Sequence, residues 1–109
     1  MKNKCADLHI HTTASDGTFL PRRVVREAAK RGINVIAITD HDTVQGIPEA
    51  IRAGRDINVE VIPGVELATD VRGVEVHILG LFIDWKSKTL QNTLKHLSLQ
   101  RVSRMRKMI

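Results

Sequence analysis

Apolar and polar positions follow two rhythms along this chain, one of period two and one near 3.6. Residues 5–11, CADLHIH, predict a short strand with Leu8 and Ile10 turned into packing and His9 and His11 on the opposite face. A polar loop runs through Gly17. Pro21 then opens a helix, PRRVVREAAKRG, whose apolar face is Val24, Val25, Ala28 and Ala29 and whose cap is Gly32. NVIAIT, 34–39, is a β-branched run of the length of a buried parallel strand. DHDTVQG leads into a second helix near 47–56. VEVI, 59–62, predicts a third strand ended by Pro63-Gly64. VELAT and VEVHILGLF around Asp70–Gly73 predict a hairpin. The last segment, about 88–109, predicts one helix with Leu90, Leu94, Leu97, Met105 and Met108 on one side and Leu99 off it.

The predicted order is therefore β-α-β-α-β-β-β-α, an α/β chain built on a parallel sheet or barrel. In such folds the chemistry gathers at the C-terminal ends of the strands. His9 and His11 end the first strand, Asp40 and His41 end the second, and Glu66 follows the third. Three or four parallel strands do not close a barrel and leave open edges. The expectation is an N-terminal portion of a longer fold, completed by further chain or by self-association through those edges.

Two histidines two apart on a strand share a face, roughly 6–7 Å apart. Neutral imidazoles so placed can bind zinc, manganese or iron. A lone H-x-H is weak, since incidental histidines give the same pattern. The company strengthens it: Asp16 in a Ser-Asp-Gly turn, Asp40-His41-Asp42 after an apolar strand, Glu66 after Pro-Gly, and His77 inside VEVHILG. A carboxylate such as Glu66 can bridge two ions, and multi-metal sites suit phosphoester hydrolysis. His96 lies among polar neighbours and reads as surface. Ser15 and Thr39 have no triad partners, and no phosphate-binding glycine loop competes.

Composition alters this picture little. The chain has 109 residues, 42% hydrophobic and 27% charged, which suits a globular domain. Its single cysteine, Cys5, excludes an internal disulfide, makes a reducing, cytoplasmic setting the expectation, and reads as a small buried residue. No stretch has the roughly 18 apolar residues of a membrane span. The net charge of +5 comes from the C-terminal segment: from residue 84 onward there are seven basic residues and one acid, Asp84. That segment is a solvated helix face or a surface for phosphates or nucleic acid.

DLHIHTTASDG, AITDHDTVQG, IPGVEL and VHILGLF, in this order and spacing, resemble the opening motifs of the PHP (polymerase and histidinol phosphatase) family of metal-dependent phosphoesterases. The resemblance covers essentially the whole chain. It is greatest to the small bacterial group that includes nucleoside 3',5'-bisphosphate phosphatases, some of which trim short RNA from the 5' end. It implies a distorted seven-stranded β/α barrel, of which residues 1–109 are the N-terminal part, with up to three divalent ions (manganese, zinc or iron). Carried over by residue, His9 and His11 hold one ion and Glu66 bridges it to a second. His77 helps hold the second, and Asp16 and His41 hold the third. Asp40 and His41 are the candidate catalytic residues, Asp40 by orienting an imidazole. The resemblance implies that a hydroxide held between the metals would attack phosphorus. The implied substrate is a phosphorylated nucleotide or short 5'-phosphorylated RNA, with no membrane partner. The family pattern also needs a later histidine and a late Asp-x-His, which this chain lacks. The missing ligands leave a silent metal-binding or interaction fragment as the alternative, and the basic C-terminal segment alone suggests a third reading, a nucleic-acid-binding module.

Overall fold

A computed structural model describes residues 5–107. Its elements are β1 (Ala6–Ile10), α1 (Pro21–Lys30), β2 (Val35–Ile38), α2 (Ile47–Ile57), β3 (Glu60–Val71), β4 (Val74–Leu81) and α3 (Lys88–Lys107). One sheet holds all four strands in the order β1-β2-β3-β4. β1, β2 and β3 run parallel, and β4 returns antiparallel to β3.

The two β-α-β units follow from the residues. Pro21 sits in the first turn of α1, where its missing N–H costs nothing, and Val24, Val25 and Ala28 are buried. The helix closes at Gly32, whose amide donates to the Ala29 carbonyl, while Ile33 N–H donates to Ala28. Ile36, Ala37 and Ile38 of β2 are fully buried, as a central parallel strand requires. α2 buries Ile47, Ala50 and Gly54, with Gly54 closely against Val59 and Val61, and ends at Asn58 in the left-handed conformation. Each of the larger aliphatic side chains so buried contributes about 1.5–3 kcal/mol.

Ala29 is exposed rather than part of the buried face of α1, and the structure corrects the sequence reading in four further places. Pro63-Gly64 does not end a strand, so β3 runs unbroken for 12 residues and the chain has one strand fewer than expected. β3 changes partner at that point: Pro63 makes the last pairing with β2, opposite Ile38, and Gly64 makes the first with β4, opposite Leu81. The proline therefore stands where one ladder stops, and its carbonyl accepts from Ile83 N–H. Gly64 is required by closeness, because a Cβ there would lie 2.9 Å from the Gly80 carbonyl oxygen and 3.1 Å from that of Ile38.

Leu8 and Cys5 are the second and third corrections. Leu8 is 42% exposed, and only Ile10 of that face packs on the core. Cys5 is exposed rather than buried. Both belong to the edge, since β1 pairs with β2 alone among the described residues. The fourth concerns Asp40 and is described with the site. In α3, Leu94 is buried and Leu90 packs against the core, whereas Leu99 is exposed as expected. The side chain of Met105 and all of Met108 lie outside the described residues.

Candidate metal centre

The C-terminal ends of β1 and β2 and the middle of the β3–β4 hairpin deliver their polar side chains to one place. His9 lies in β1 and His11 one residue past its end, their ring centroids 5.2 Å apart. His41 stands just after β2 and forms an isolated parallel bridge with Glu66. Two backbone hydrogen bonds fix that bridge: Glu66 N–H to the Asp40 carbonyl, 3.0 Å, and Asp42 N–H to the Glu66 carbonyl, 3.1 Å. His77 enters from β4, where it faces Ala68 across the ladder. The rings of His11 and His41 are 4.4 Å apart, and those of His41 and His77 are 5.8 Å apart.

Glu66 is the centre of this group, and only 1% of its surface is exposed. Its Oε1 contacts His9 Nε2 and lies 3.4 Å from His11 Nε2. Its Oε2 lies 3.1 Å from His41 Nδ1 and 3.0 Å from His77 Nδ1. One buried carboxylate thus serves four imidazoles, two on each oxygen.

The opposite ring nitrogens also meet carboxylates. His11 Nδ1 is 2.9 Å from Asp16 Oδ1, His41 Nε2 is 3.3 Å from Asp16 Oδ2, and His77 Nε2 is 3.1 Å from Glu75 Oε1. A neutral imidazole offers one donor and one lone pair. Three rings with acid oxygens on both nitrogens therefore cannot all be satisfied as neutral groups. His41 Nδ1 shows the conflict directly: it is buried, near Glu66, and has no hydrogen bond of acceptable geometry. A cation between lone pairs removes it.

The donor set fits a divalent ion. His9, His11 and Glu66 form one group of potential ligands, and His11, Asp16 and His41 form a second, with the ligand atoms of each within 4.8 Å of one another. Three protein ligands with room beside them is the pattern of a catalytic rather than a closed structural site. His77 belongs to neither trio but shares Glu66 Oε2 with His41.

The electrostatics agree. Burial works to raise the Glu66 carboxyl, but hydrogen bonding from His9 and the charges of His41 and His11 overcome it and hold it below the usual glutamate value. Burial likewise opposes ionisation of Asp16, and the charges of His11 and His41 prevail and lower it.

Asp40 has a different task from the expected one. It is 1% exposed and does not support an imidazole. Its Oδ1 accepts from Thr12 N–H at 2.6 Å and Ser15 Oγ at 2.7 Å, and its Oδ2 from Thr12 Oγ1 at 2.7 Å. It anchors the 12–16 loop, which carries Asp16. Gly17 closes that loop with an N–H bond to the Thr12 carbonyl, 2.8 Å, and a Cβ there would meet the His11 carbonyl oxygen at 2.5 Å.

Two participants escaped the sequence reading. Thr12, fully buried, meets Asp40 only across the sheet, so no local pattern marks it. Glu75 lies two residues before His77 on the same strand, and that same-face spacing was an available signal.

Comparison with known proteins bears on this geometry. Residues 7–107 match the PHP domain. The chain belongs to the PHP family. It is 47% identical over 78 residues to a 5'-3' exoribonuclease of Haemophilus influenzae, covering 72% of this chain and 28% of that protein. It is 37% identical over 102 residues to a 3',5'-nucleoside bisphosphate phosphatase of Chromobacterium violaceum, covering 94% of this chain and 36% of the relative. The structure of an amidohydrolase from Chromobacterium violaceum, with bound sulfate and no metal, superposes with a TM-score of 0.86 at 37% identity, over 94% of this chain and 36% of that one. A protein of Bifidobacterium adolescentis to which a metal-dependent phosphoesterase function is ascribed gives 0.86 at 33% identity, over 97% and 37%. The curled four-stranded sheet is thus part of a PHP-like β/α barrel. The chain spans about a third of the length of these relatives. Among the described residues no helix is long and apolar enough to cross a membrane.

Proposed function

We propose that this site hydrolyses phosphate esters of small nucleotides, such as a nucleoside 3',5'-bisphosphate, or of short 5'-phosphorylated RNA, with divalent metal ions. The observation that carries the reading is the buried Glu66 carboxylate set among four imidazoles, with His41 Nδ1 left without a hydrogen bond. The names of the relatives, an exoribonuclease and a nucleoside bisphosphate phosphatase, support the substrate class.

In this reading His9, His11 and Glu66 would hold one ion, Glu66 and His77 would serve a second, and Asp16 and His41 would hold a third, with His11 a member of both ligand trios. Manganese, zinc and iron all suit imidazole and carboxylate donors. When bound, such ions withdraw charge from phosphate oxygens and make a water nucleophilic at neutral pH. The chain's own residues supply position. The backbone bridge to His41 places Glu66, and its contacts with four histidines orient its two oxygens. Asp40 is a positioning residue that acts through the 12–16 loop. Glu75 fixes the tautomer and orientation of His77 by accepting from Nε2.

The test is manganese-dependent phosphate release from adenosine 3',5'-bisphosphate, with His41→Ala as the blank. Release that disappears in the variant is the expected result. Equal release by both proteins overturns the reading.

A further inference from the structure

Beside the metal centre lies an open cleft of about 1210 Å³, and its two walls differ in charge. One wall is the site itself: Asp16, His41 and His77, with Asp42 and Glu75 next to them. The other is a face of α3, where Gln91, Asn92, Lys95 and Ser98 recur at helical spacing. Among the described residues, Lys95 is the only lysine or arginine lining the cleft. It is exposed, and no salt bridge among the described residues holds it.

The volume exceeds the roughly 300–1,000 Å³ of ordinary small-molecule pockets, so the cleft has room well beyond one phosphate. A phosphate held at the metal centre occupies the site wall, so a second phosphate on the same molecule reaches toward the opposite wall. There Lys95 offers an ammonium that no described residue pairs, with the Asn92 amide beside it, while the Gln91 side-chain amide already donates to the Trp85 carbonyl at 2.8 Å.

We infer that Lys95 on α3 binds a second phosphate of the substrate, across the cleft from the metal centre, and so selects nucleotides carrying two phosphates over those carrying one. This rests on the functional reading above and sharpens it: the distal phosphate is read by the protein, without a metal. Lys95 lies on the solvent side of its helix, so its replacement leaves the core untouched.

The test uses the full 109-residue chain loaded with manganese. Calorimetry measures the affinity of a non-hydrolysable bisphosphonate analogue of adenosine 3',5'-bisphosphate and of the matching monophosphonate. The wild type is expected to prefer the bisphosphonate by about tenfold, the share of one charge-assisted contact. Lys95→Ala and Lys95→Gln should each remove that preference while leaving the monophosphonate affinity within about twofold, and Lys95→Arg should restore it. An unchanged preference in Lys95→Ala, or equal weakening of both analogues, overturns the assignment and leaves the functional reading standing. Failure of the wild type to bind either analogue overturns the functional reading and this assignment with it.

Discussion

His41 Nδ1 lies 3.1 Å from Glu66 Oε2, both groups are buried, and no hydrogen bond joins them. An unsatisfied buried nitrogen costs about 1–3 kcal/mol in a metal-free protein. The pair accordingly links metal binding to stability. Zinc at about 100 times its dissociation constant should stabilise the chain by about 2.7 kcal/mol, seen as a higher urea midpoint that a chelator reverses. In His41→Ala the gain should shrink by more than half. An identical gain in the variant would show that zinc acts elsewhere.

The metal-free protein should lose stability on acidification. Glu66 and Asp16 both ionise more readily in the folded chain than their ordinary values of 4.5 and 3.8. A carboxyl lowered by folding adds stability above its unfolded value, and that stability is lost as pH falls toward the folded one. The window therefore opens near pH 4.5 and extends below it. Glu66 should dominate, because its side chain is 2% exposed while that of Asp16 is 61% exposed and screened by water. Urea midpoints between pH 6 and pH 3, in chelator, should fall less steeply in Glu66→Gln than in the wild type. Parallel slopes would remove Glu66 as the source.

Asp40→Ala removes three hydrogen bonds to the 12–16 loop and leaves Thr12 N–H buried without a partner. A loss of about 2–4 kcal/mol follows, measured by chemical denaturation. Because Asp16 rides on that loop, metal affinity should fall with it, and Asp40→Asn should weaken metal binding more than it weakens the fold. A stability change under about 0.5 kcal/mol in Asp40→Ala would contradict the anchoring role.

Gly17→Ala tests the same loop from its backbone. The added Cβ meets backbone atoms of His11 and Thr12 at 2.5–2.7 Å, and neither can swing aside as a side chain can. The cost should be about 1–3 kcal/mol. Nuclear magnetic resonance shifts should concentrate at His11, Thr12 and Asp16 rather than in α1 or α2.

Much of this arrangement was legible in the sequence, and the gaps have particular causes. The β1-α1-β2-α2 run declares itself through period and caps: Pro21 opens α1 and the β-branched 35–38 run is β2. The candidate residues stood out because histidine is rare at the ends of apolar strands. Pro63-Gly64 misled because the dipeptide is the same whether a strand stops or changes partner, and only the positions of β2 and β4 decide which. Asp40 misled because its neighbour in sequence is His41 while its partners in space are Thr12 and Ser15. Leu8 and Cys5 misled because burial at an edge strand depends on what lies beyond the edge.

The central claim is that Glu66 organises a metal centre. The most direct measurement is the zinc or manganese retained per folded chain after gel filtration, by elemental analysis, in the wild type and in Glu66→Gln. The wild type should retain bound metal, and the isosteric variant should lose most of it while keeping its circular dichroism spectrum. A folded wild type that retains no metal, or a variant that retains as much as the wild type, would contradict the account.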